Sequence, residues 1–326
     1  MDYNEIKVAV VGAGRWGMNH VKTAASLLNH ENIIVCDGLN TTEEKIKALS
    51  EKINFTTDIE LILADEKINA VIIATPAETH FEIAKKSILA GKNVLVEKPI
   101  TLYLNEAKEL EQLATDKCVK LMVGHVLLFH PAILKMKEEL ENGKLGKLQY
   151  IYSNRLNLGA IRSEENILWS FAPHDISVIQ FLVGENPTEI SAKGDCFVQK
   201  EIEDTTITYL QYPNNVAAHI FVSWLHPFKE QRMVVIGEKG MFVFDDTLKD
   251  DKLKFFEKGF KHTENGLEKF DNDFEKVTFE NKMPLAEEQK HFYESIINDM
   301  VPRTNGKHAV DVLEILVKAT EKIKIS

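Results

Sequence analysis

The sequence predicts a two-domain protein in which an α/β layer precedes an α+β domain with a mostly antiparallel sheet. Up to about residue 123, short apolar β-branched runs alternate with longer segments of helical periodicity, as in βαβ units around a parallel sheet. Beyond Gly124, alternating segments are joined by tight turns, which is typical of hairpins. A length of 326 residues suits two cores at roughly 100–200 residues per domain.

The first domain is predicted over residues 1–124, and two helices within it have clear boundaries. Segments 78–90 and 104–115 carry apolar residues at helical spacing with charges opposite, and Gly91 is placed as the carboxy-terminal cap of the first. The predicted strands are 6–11, 32–36, 70–74, 93–96 and 119–123.

The second domain is predicted over residues 125–307 and begins with a helix at 132–141. Turns at 213–215 and 237–240 join neighbouring strands closely, which predicts antiparallel pairing. The predicted strands are 148–156, 206–212, 216–224, 233–236, 241–244 and 252–256. We expect a last helix, at about 308–326, to pack back on the first domain.

Composition excludes several classes of protein and partner. Hydrophobic residues make up 44% and charged residues 27%, as in ordinary soluble domains, which argues against disorder or a collagen-like repeat. The net charge of −11 repels a phosphate backbone, so nucleic acid is not expected as a partner. The most apolar stretch, 121–134, is interrupted by two histidines and a proline, and the amino terminus is polar; neither a membrane span nor a signal peptide is predicted.

The cysteines point to a reducing environment. Cys36, Cys118 and Cys196 lie far apart, with no paired motif and no histidine cluster beside them. This spacing predicts neither a disulfide framework nor a metal site, and it favours the cytoplasm.

A glycine-rich motif follows the first strand directly and precedes a helix. It comprises Gly12, Ala13, Gly14, Arg15, Trp16 and Gly17. In this context Gly12 permits a tight turn, Gly14 lets the backbone approach a pyrophosphate, and Gly17 lets helix and strand pack closely. The motif therefore predicts a dinucleotide site; a glycine-rich turn without a ligand is the alternative.

Asp37 ends the second strand, where an acid can accept hydrogen bonds from the adenosine ribose and repel a 2′-phosphate. No arginine follows in the loop 38–42, so NAD is favoured over NADP. A solvated helix-capping aspartate is the alternative.

Two further segments lie at the carboxyl ends of strands, where open α/β sheets bind ligands. Thr75 and Pro76 follow the third predicted strand, and Glu97 and Lys98 follow the fourth. A lysine near a cationic nicotinamide loses proton affinity and can orient or deprotonate a sugar hydroxyl. Taken alone, Lys98 would more often be a surface charge.

The segments GAGRWG, ATPAETH, AGKNVLVEKPI and VGH together resemble the Gfo/Idh/MocA family of sugar and polyol oxidoreductases. The resemblance implies a Rossmann domain, that is, a doubly wound parallel sheet, then a domain with a large open sheet. It also implies an NAD(P) cofactor and hydride transfer at a secondary carbon. By the same resemblance Lys98 is catalytic, and His80 and Glu97 join the cofactor-binding residues.

Members of that family carry a helix reading roughly Asp-x-x-x-His, whose histidine maps to His174 here. Ser170 stands where the acid is usual, so His174 or Lys98 must carry the proton, with Asp175 or a substrate group assisting. Pro173 is predicted to begin this helix. A core histidine satisfied by the backbone is the alternative.

Other candidate substrate contacts surround these positions. They are His125, Phe129, Arg155, Asn157, Arg162 and Trp169. Arginines in an acidic protein would suit an anionic ligand such as a nucleotide diphosphate, and an aromatic side chain could stack on a base or sugar. Cross-strand pairing of Arg155 and pairing of Arg162 with the following glutamates are the alternatives.

The segments FHPA, RLNLGAIRSEEN and LWSFAPHDIS are similar to those of family members that act on nucleotide sugars in surface-polysaccharide pathways. This similarity implies NAD-dependent oxidation of the C3 hydroxyl of UDP-N-acetylglucosamine or its uronate. Separately, the strand 216–222 has apolar residues on both faces, so we expect the open sheet to form the interface of a homo-oligomer, a dimer or tetramer. The alternatives are a free-sugar or inositol dehydrogenase, a nucleotide-sugar ketoreductase, and a non-catalytic NAD-binding sensor.

Overall fold

The computed structural model describes residues 3–159 and 161–325, so the last residue of the helix predicted over 308–326 lies outside them. The strands are β1 (Val8–Val11), β2 (Ile33–Cys36), β3 (Asn54–Thr56), β4 (Ala70–Ile73), β5 (Asn93–Glu97), β6 (Leu121–Gly124), β7 (Leu148–Leu156), β8 (Glu189–Asp195), β9 (Thr205–Gln211), β10 (Ala217–Ser223), β11 (Glu230–Gly237), β12 (Gly240–Asp245), β13 (Leu253–Thr263) and β14 (Gly266–Lys276). The α-helices are α1 (Gly17–Leu27), α2 (Thr42–Leu49), α3 (Ile59–Ala64), α4 (His80–Leu89), α5 (Leu104–Asp116), α6 (Pro131–Glu141), α7 (Ile167–Val183), α8 (Pro284–Ile297) and α9 (Gly306–Ile325).

The chain forms two compact units. The first unit runs to Phe129 and also takes in Lys282–Leu313; the second contains His130–Asn281 and the residues from Glu314 onward. This division differs from the predicted one, which assigned 282–307 to the second domain. Helix α8 lies with the first unit because it buries Phe292 and Tyr293 there and packs on α1 and on the short turn 126–129.

The first unit is built on a parallel sheet with strand order β3-β2-β1-β4-β5-β6. Strands β1 and β4 are buried at every residue, because helices cover both faces of such a sheet. The strand order reverses between β1 and β4, which is where this class of sheet binds ligands. The predicted doubly wound α/β domain is confirmed.

The second unit is built on a sheet of order β14-β13-β12-β11-β7-β10-β9-β8. Every neighbouring pair is antiparallel except β7 and β10. The mostly antiparallel sheet is confirmed, while β3, β8 and β14 were not predicted. Strand β14 escaped prediction because it is an edge strand that reads GLEKFDNDFEK and is exposed at nearly every position.

Helix α7 covers one face of this second sheet. Ala218, Ile220 and Val222 of β10 are buried, whereas the residues between them are half-buried on the opposite face. On that outer face the Tyr152 and His219 rings stack with centroids 5.4 Å apart. Ile207 and Tyr209 are 48% and 42% exposed there, so the outer face carries uncovered apolar and aromatic surface.

Among the described helices, none has both the length and the uninterrupted apolar run that crossing a membrane requires.

Candidate functional site

The glycine-rich loop joins β1 to α1, and two of its glycines are required by close packing. Gly12 has φ of +87°, and a Cβ there would lie 2.8 Å from the Ala74 carbonyl oxygen. A Cβ at Gly17 would lie 1.9 Å from the Gly12 carbonyl oxygen, so only glycine lets α1 approach the loop this closely. A Cβ at Gly14, in contrast, would meet nothing within 4 Å. Gly14 therefore leaves open space at the amino end of α1.

That open space suits an anion. The first turn of α1 carries no acidic side chain, and the positive end of the helix dipole favours negative charge. Arg15 and Trp16 of the loop are exposed, Trp16 by 42%. The loop thus offers the space and the helix terminus that the pyrophosphate of a dinucleotide would need.

Asp37 is tied to this loop directly. Its Oδ2 accepts the Ala13 N–H at 2.7 Å, and its Oδ1 accepts the Leu39 N–H at 3.0 Å and the Thr42 hydroxyl at 3.3 Å. The carboxylate is therefore held beside the glycine loop at the end of β2, where the ribose of a bound dinucleotide would lie. Its local partners are the Leu39 N–H and the Thr42 hydroxyl, whereas the N-cap position of α2 is Thr41 and has no side-chain cap hydrogen bond.

His80 connects the loops that follow β4 and β5. One ring nitrogen lies 2.9 Å from the Thr75 carbonyl oxygen and the other 2.8 Å from that of Pro99. The side chain is almost fully buried, whereas Pro76 is exposed. His80 is therefore placed to fix the two loops rather than to contact a ligand, and Thr75 and Pro76 lie nearer the surface.

Glu97, the last residue of β5, is the centre of a hydrogen-bond network. Its Oε1 accepts from His20 Nε2 at 2.7 Å and from the Trp16 indole, and its Oε2 accepts the Lys98 N–H at 3.2 Å. Burial raises the pKa of Glu97, but the His20 and Trp16 hydrogen bonds and the Lys98 charge outweigh it, so the pKa is lowered. The network joins the glycine loop to the backbone of Lys98.

His125 follows β6 and forms a pair with His308 of α9. The rings meet edge to face with centroids 5.5 Å apart, and neither His125 Nδ1 nor His308 Nε2 has a hydrogen-bond partner. Burial, together with His308 and Lys98, holds the pKa of His125 well below its usual range, and burial lowers that of His308 to about 4. Both rings are therefore neutral near pH 7. Phe129, in contrast, is a core residue that packs on His291 and Arg303.

In the second unit, helix α7 places Ser170 and His174 one turn apart on the same face. The prediction that Pro173 begins this helix is wrong. The Asn166 side chain accepts the Trp169 N–H at 3.1 Å and caps the helix six residues earlier than expected, so Pro173 is buried in its interior. The helix tolerates the proline although the ring removes one backbone donor.

Asp175, next to His174, is almost fully buried and bound on both oxygens. It accepts from Arg155 Nε at 2.7 Å and Nη2 at 3.2 Å, and from the Ser153 hydroxyl at 2.6 Å. The structure thus places Arg155 in a bidentate ion pair that ties α7 to β7, with its guanidinium already engaged by a carboxylate.

The remaining predicted contacts differ in accessibility. Arg162 has a 60% exposed side chain near Glu165, with the nitrogen and oxygen 3.3 Å apart, and Asn157 is half-buried. Trp169 donates its indole N–H to Thr320 at 2.9 Å. Arg162 and Asn157 are therefore the more available of these polar groups.

Sequence reasoning missed several residues of the first unit. His20 lies one helical turn after Gly17, on the same buried side of α1, and this spacing was a usable signal. Glu288 and Gln289 of α8 and His308 of α9 gave no local signal, because only folding brings them to the carboxyl ends of β5 and β6.

Two family models match the sequence. One, described as an oxidoreductase family with an NAD-binding Rossmann fold, matches residues 6–125, and the other, a GFO/IDH/MocA C-terminal domain, matches residues 133–243. Together they cover well over half of the chain.

Among curated proteins, the scyllo-inositol 2-dehydrogenase (NAD(+)) of Bacillus subtilis is 28% identical over 98% of this chain and 95% of its own length. The UDP-N-acetylglucosamine 3-dehydrogenase of Acidithiobacillus ferrooxidans is 26% identical over 67% of each chain. A solved structure of the latter enzyme superimposes with a TM-score of 0.84 at 23% identity, covering 98% of this chain and 97% of that one, and so shares its fold.

The glycine geometry predicts opposite outcomes for two alanine substitutions. Gly14→Ala should leave the unfolding temperature unchanged and weaken NAD binding at least about tenfold, since its methyl group enters only the space meant for phosphate. Gly17→Ala should destabilise the first unit, because its methyl group would overlap the Gly12 carbonyl. Calorimetric NAD titration and thermal unfolding of both variants measure this; equal effects on both properties would contradict it.

The position of Asp37 predicts a preference for NAD over NADP, because a 2′-phosphate would face this carboxylate without an arginine partner. Asp37→Asn should reduce the preference for NAD, because the variant should bind NAD more weakly and accept NADP better than the parent does. Calorimetry with both dinucleotides measures the ratio of dissociation constants. Tighter binding of NADP by the parent protein would refute the assignment.

Proposed function

Because the chain belongs to the Gfo/Idh/MocA family of NAD-binding oxidoreductases, we propose that it oxidises the C3 hydroxyl of a UDP-N-acetylglucosamine-type sugar to the 3-keto sugar. The dehydrogenase part of this proposal depends on one observation: the glycine loop, Asp37 and Lys98 share the carboxyl edge of one parallel sheet. The choice of sugar is supported by the similarity to the Acidithiobacillus enzyme and by the segments quoted above.

Lys98 is the proposed acid–base residue of the first unit. It follows β5 directly, and its backbone amide is fixed by Glu97, so its side chain starts from a defined point on the ligand-binding edge. A bound NAD supplies the hydride acceptor. Lys98 orients the reacting hydroxyl and takes or shares its proton, so positioning and charge stabilisation do most of the work.

His174 is proposed as the second acid–base residue on the strength of the family resemblance. Ser170 precedes it by one turn and cannot act as a carboxylate, while the carboxylate of Asp175 is committed to Arg155. The imidazole would therefore work without an acidic neighbour on its own helix face. For the diphosphate of the substrate we propose Arg162 and Asn157, and we assign Arg155 to holding Asp175.

Two other functions are supported by specific observations. The inositol dehydrogenase of Bacillus subtilis matches over a larger share of this chain than the nucleotide-sugar enzyme does, which favours a free polyol as the alternative substrate. Ser170 in place of the usual acid is compatible with a sensor that binds NAD without turnover. A nucleotide-sugar ketoreductase would use the same residues in reverse.

A cytoplasmic role in surface-polysaccharide synthesis belongs to the same proposal. Its support is the expected nucleotide-sugar substrate, and the three cysteines are free.

Substrate screening tests the proposed function. Purified protein with NAD is offered UDP-N-acetylglucosamine, its uronate, free N-acetylglucosamine, and myo- and scyllo-inositol, and NADH formation is recorded. We expect turnover with a nucleotide sugar and a 3-keto product by mass spectrometry. Turnover with inositol alone would assign the polyol alternative, and NAD binding without any turnover would assign the sensor.

Lys98→Met should lower turnover by about 10²–10⁴-fold, because general acid–base catalysis contributes on that order. NAD affinity should change little, since the lysine acts on the hydroxyl. Lys86→Met is the matched control: Lys86 is an exposed lysine of α4 paired with Glu60, and its loss should leave turnover unchanged. A Lys98→Met variant within about tenfold of the parent would contradict the role.

In the same assay, a His174→Asn variant that keeps most activity would leave Lys98 acting alone.

We further propose that the outer face of the second sheet joins copies of this chain into a dimer or tetramer, because its apolar surface is uncovered within the unit. Light scattering should give a multiple of the monomer mass at micromolar concentration. Ile207→Glu, on that face, should shift the mass towards the monomer. Leu61→Glu, in the first unit and also exposed (62%), should not. A monomeric parent would refute the proposal.

A further inference from the structure

Helix α8 buries a carboxyl group beneath the ligand-binding edge of the first unit. The Glu288 side chain is fully buried, and neither of its oxygens has a hydrogen-bond partner. One oxygen of Glu288, one oxygen of Glu97 and one ring nitrogen of His20 all lie within 4.8 Å of one another. Two carboxyl groups and one imidazole therefore share a closed space below Trp16 and the start of Lys98.

The protonation state of His20 in this cluster follows from Gln289. The Gln289 amide nitrogen lies 3.1 Å from the His20 carbonyl oxygen, and its Oε1 accepts the Tyr293 hydroxyl at 3.1 Å, so the orientation of the amide is fixed. The same NH₂ group lies 3.0 Å from His20 Nδ1, which must therefore accept. The ring proton is on Nε2 and is donated to Glu97. His20 is neutral.

This arrangement suits a proton better than a metal ion. His20 Nε2 cannot bind a cation while it carries the proton given to Glu97. With His20 neutral, an ionised Glu288 would place a second carboxylate within 4.8 Å of Glu97, at a fully buried position where neither of its oxygens has a hydrogen-bond partner.

Among the described residues, His20 of α1 and Glu97 of β5 lie against Glu288, while the turn 126–129 contributes apolar side chains. The charge of Lys98 acts on Glu97 and favours Glu97 as the ionised member of the pair. Burial, and next to it the Glu97 charge, raise the pKa of Glu288 well above its usual range. Burial and the nearby Glu97 carboxylate therefore favour the protonated form of Glu288.

We propose that Glu288 is held as a neutral carboxylic acid. Because Glu288 keeps its proton, Glu97 is the single anion of the cluster. That anion is the acceptor for Trp16 of the glycine loop, for His20 of α1 and for the Lys98 backbone amide. Glu288 is thus a positioning residue: it acts through Glu97 on the loop that binds NAD and on the start of Lys98. Only its effect on turnover depends on the proposed function.

The test compares the parent with Glu288→Gln, which mimics the neutral acid and cannot ionise. Above the ordinary carboxyl pKa of about 4.3 the unfolded parent releases this proton and the folded parent keeps it. The parent therefore loses stability relative to the variant as pH rises, by up to tenfold in the unfolding constant per pH unit, until the folded group itself titrates. Urea unfolding of fluorotryptophan-labelled protein between about pH 5 and pH 8, read from the Trp16 fluorine signal, measures the ratio.

Glu287→Gln is the matched control, since Glu287 is the preceding residue on α8 but pairs with Lys290 at 2.8 Å. The stability of Glu287→Gln relative to the parent should not increase as the pH rises. A Glu288→Gln ratio that stays constant with pH would overturn the proposal. So would a stoichiometric divalent metal in the purified parent that Glu288→Gln loses.

A second measurement does not depend on how the variants fold. The infrared spectrum of the parent at neutral pH should contain a protonated-carboxyl band from ¹³C-labelled glutamate, and its absence would refute a neutral Glu288.

For the positioning role, Glu288→Leu should weaken NAD binding about tenfold or more, and Glu288→Gln should restore most of that loss. Equal losses in both variants would reject it. These readouts need no substrate, so they fail or succeed independently of the proposed function.

Discussion

The close approach of α1 to the loop after β1 is the constraint on which the rest of the first unit depends. It exists because Gly17 has no side chain to strike the Gly12 carbonyl. The approach sets the amino end of α1 over the carboxyl edge of the sheet, where the positive end of the helix dipole favours phosphate. It also carries Trp16 and His20 to the end of β5. Phosphate binding and the support of Lys98 therefore follow from the same glycine.

Glu97 carries the consequences of that approach to the other side of the edge. One partly buried carboxylate accepts from two side chains of the α1 region and from the backbone of Lys98, and Gly124 leaves room for it: a Cβ there would lie 2.9 Å from the carboxylate. A buried anion is tolerated only when donors surround it. The donors of this network therefore stabilise the Glu97 carboxylate and also fix its position.

In the second unit, helix α7 covers one face of the sheet, and the other face carries exposed apolar residues. Helix α7 is joined to β7 by the ion pair between Asp175 and Arg155, and this pair fixes the part of the helix that presents His174. The buried charges are satisfied bidentately and by Ser153, which makes the join specific. Arg162 and Asn157 are more accessible than this buried pair.

The sequence by itself determined most of the strands, the glycine spacing and the places of Asp37 and Lys98, because each depends on periodicity or on turns between near neighbours; it did not show β3, β8 or β14. It determined residue types but not partners. Only the tertiary structure decided that α8 joins the first unit, that Glu288 lies against Glu97, and that Arg155 binds Asp175. The physical reason is that burial and pairing of polar groups are set by contacts between residues far apart in the chain, and local sequence patterns carry no record of them.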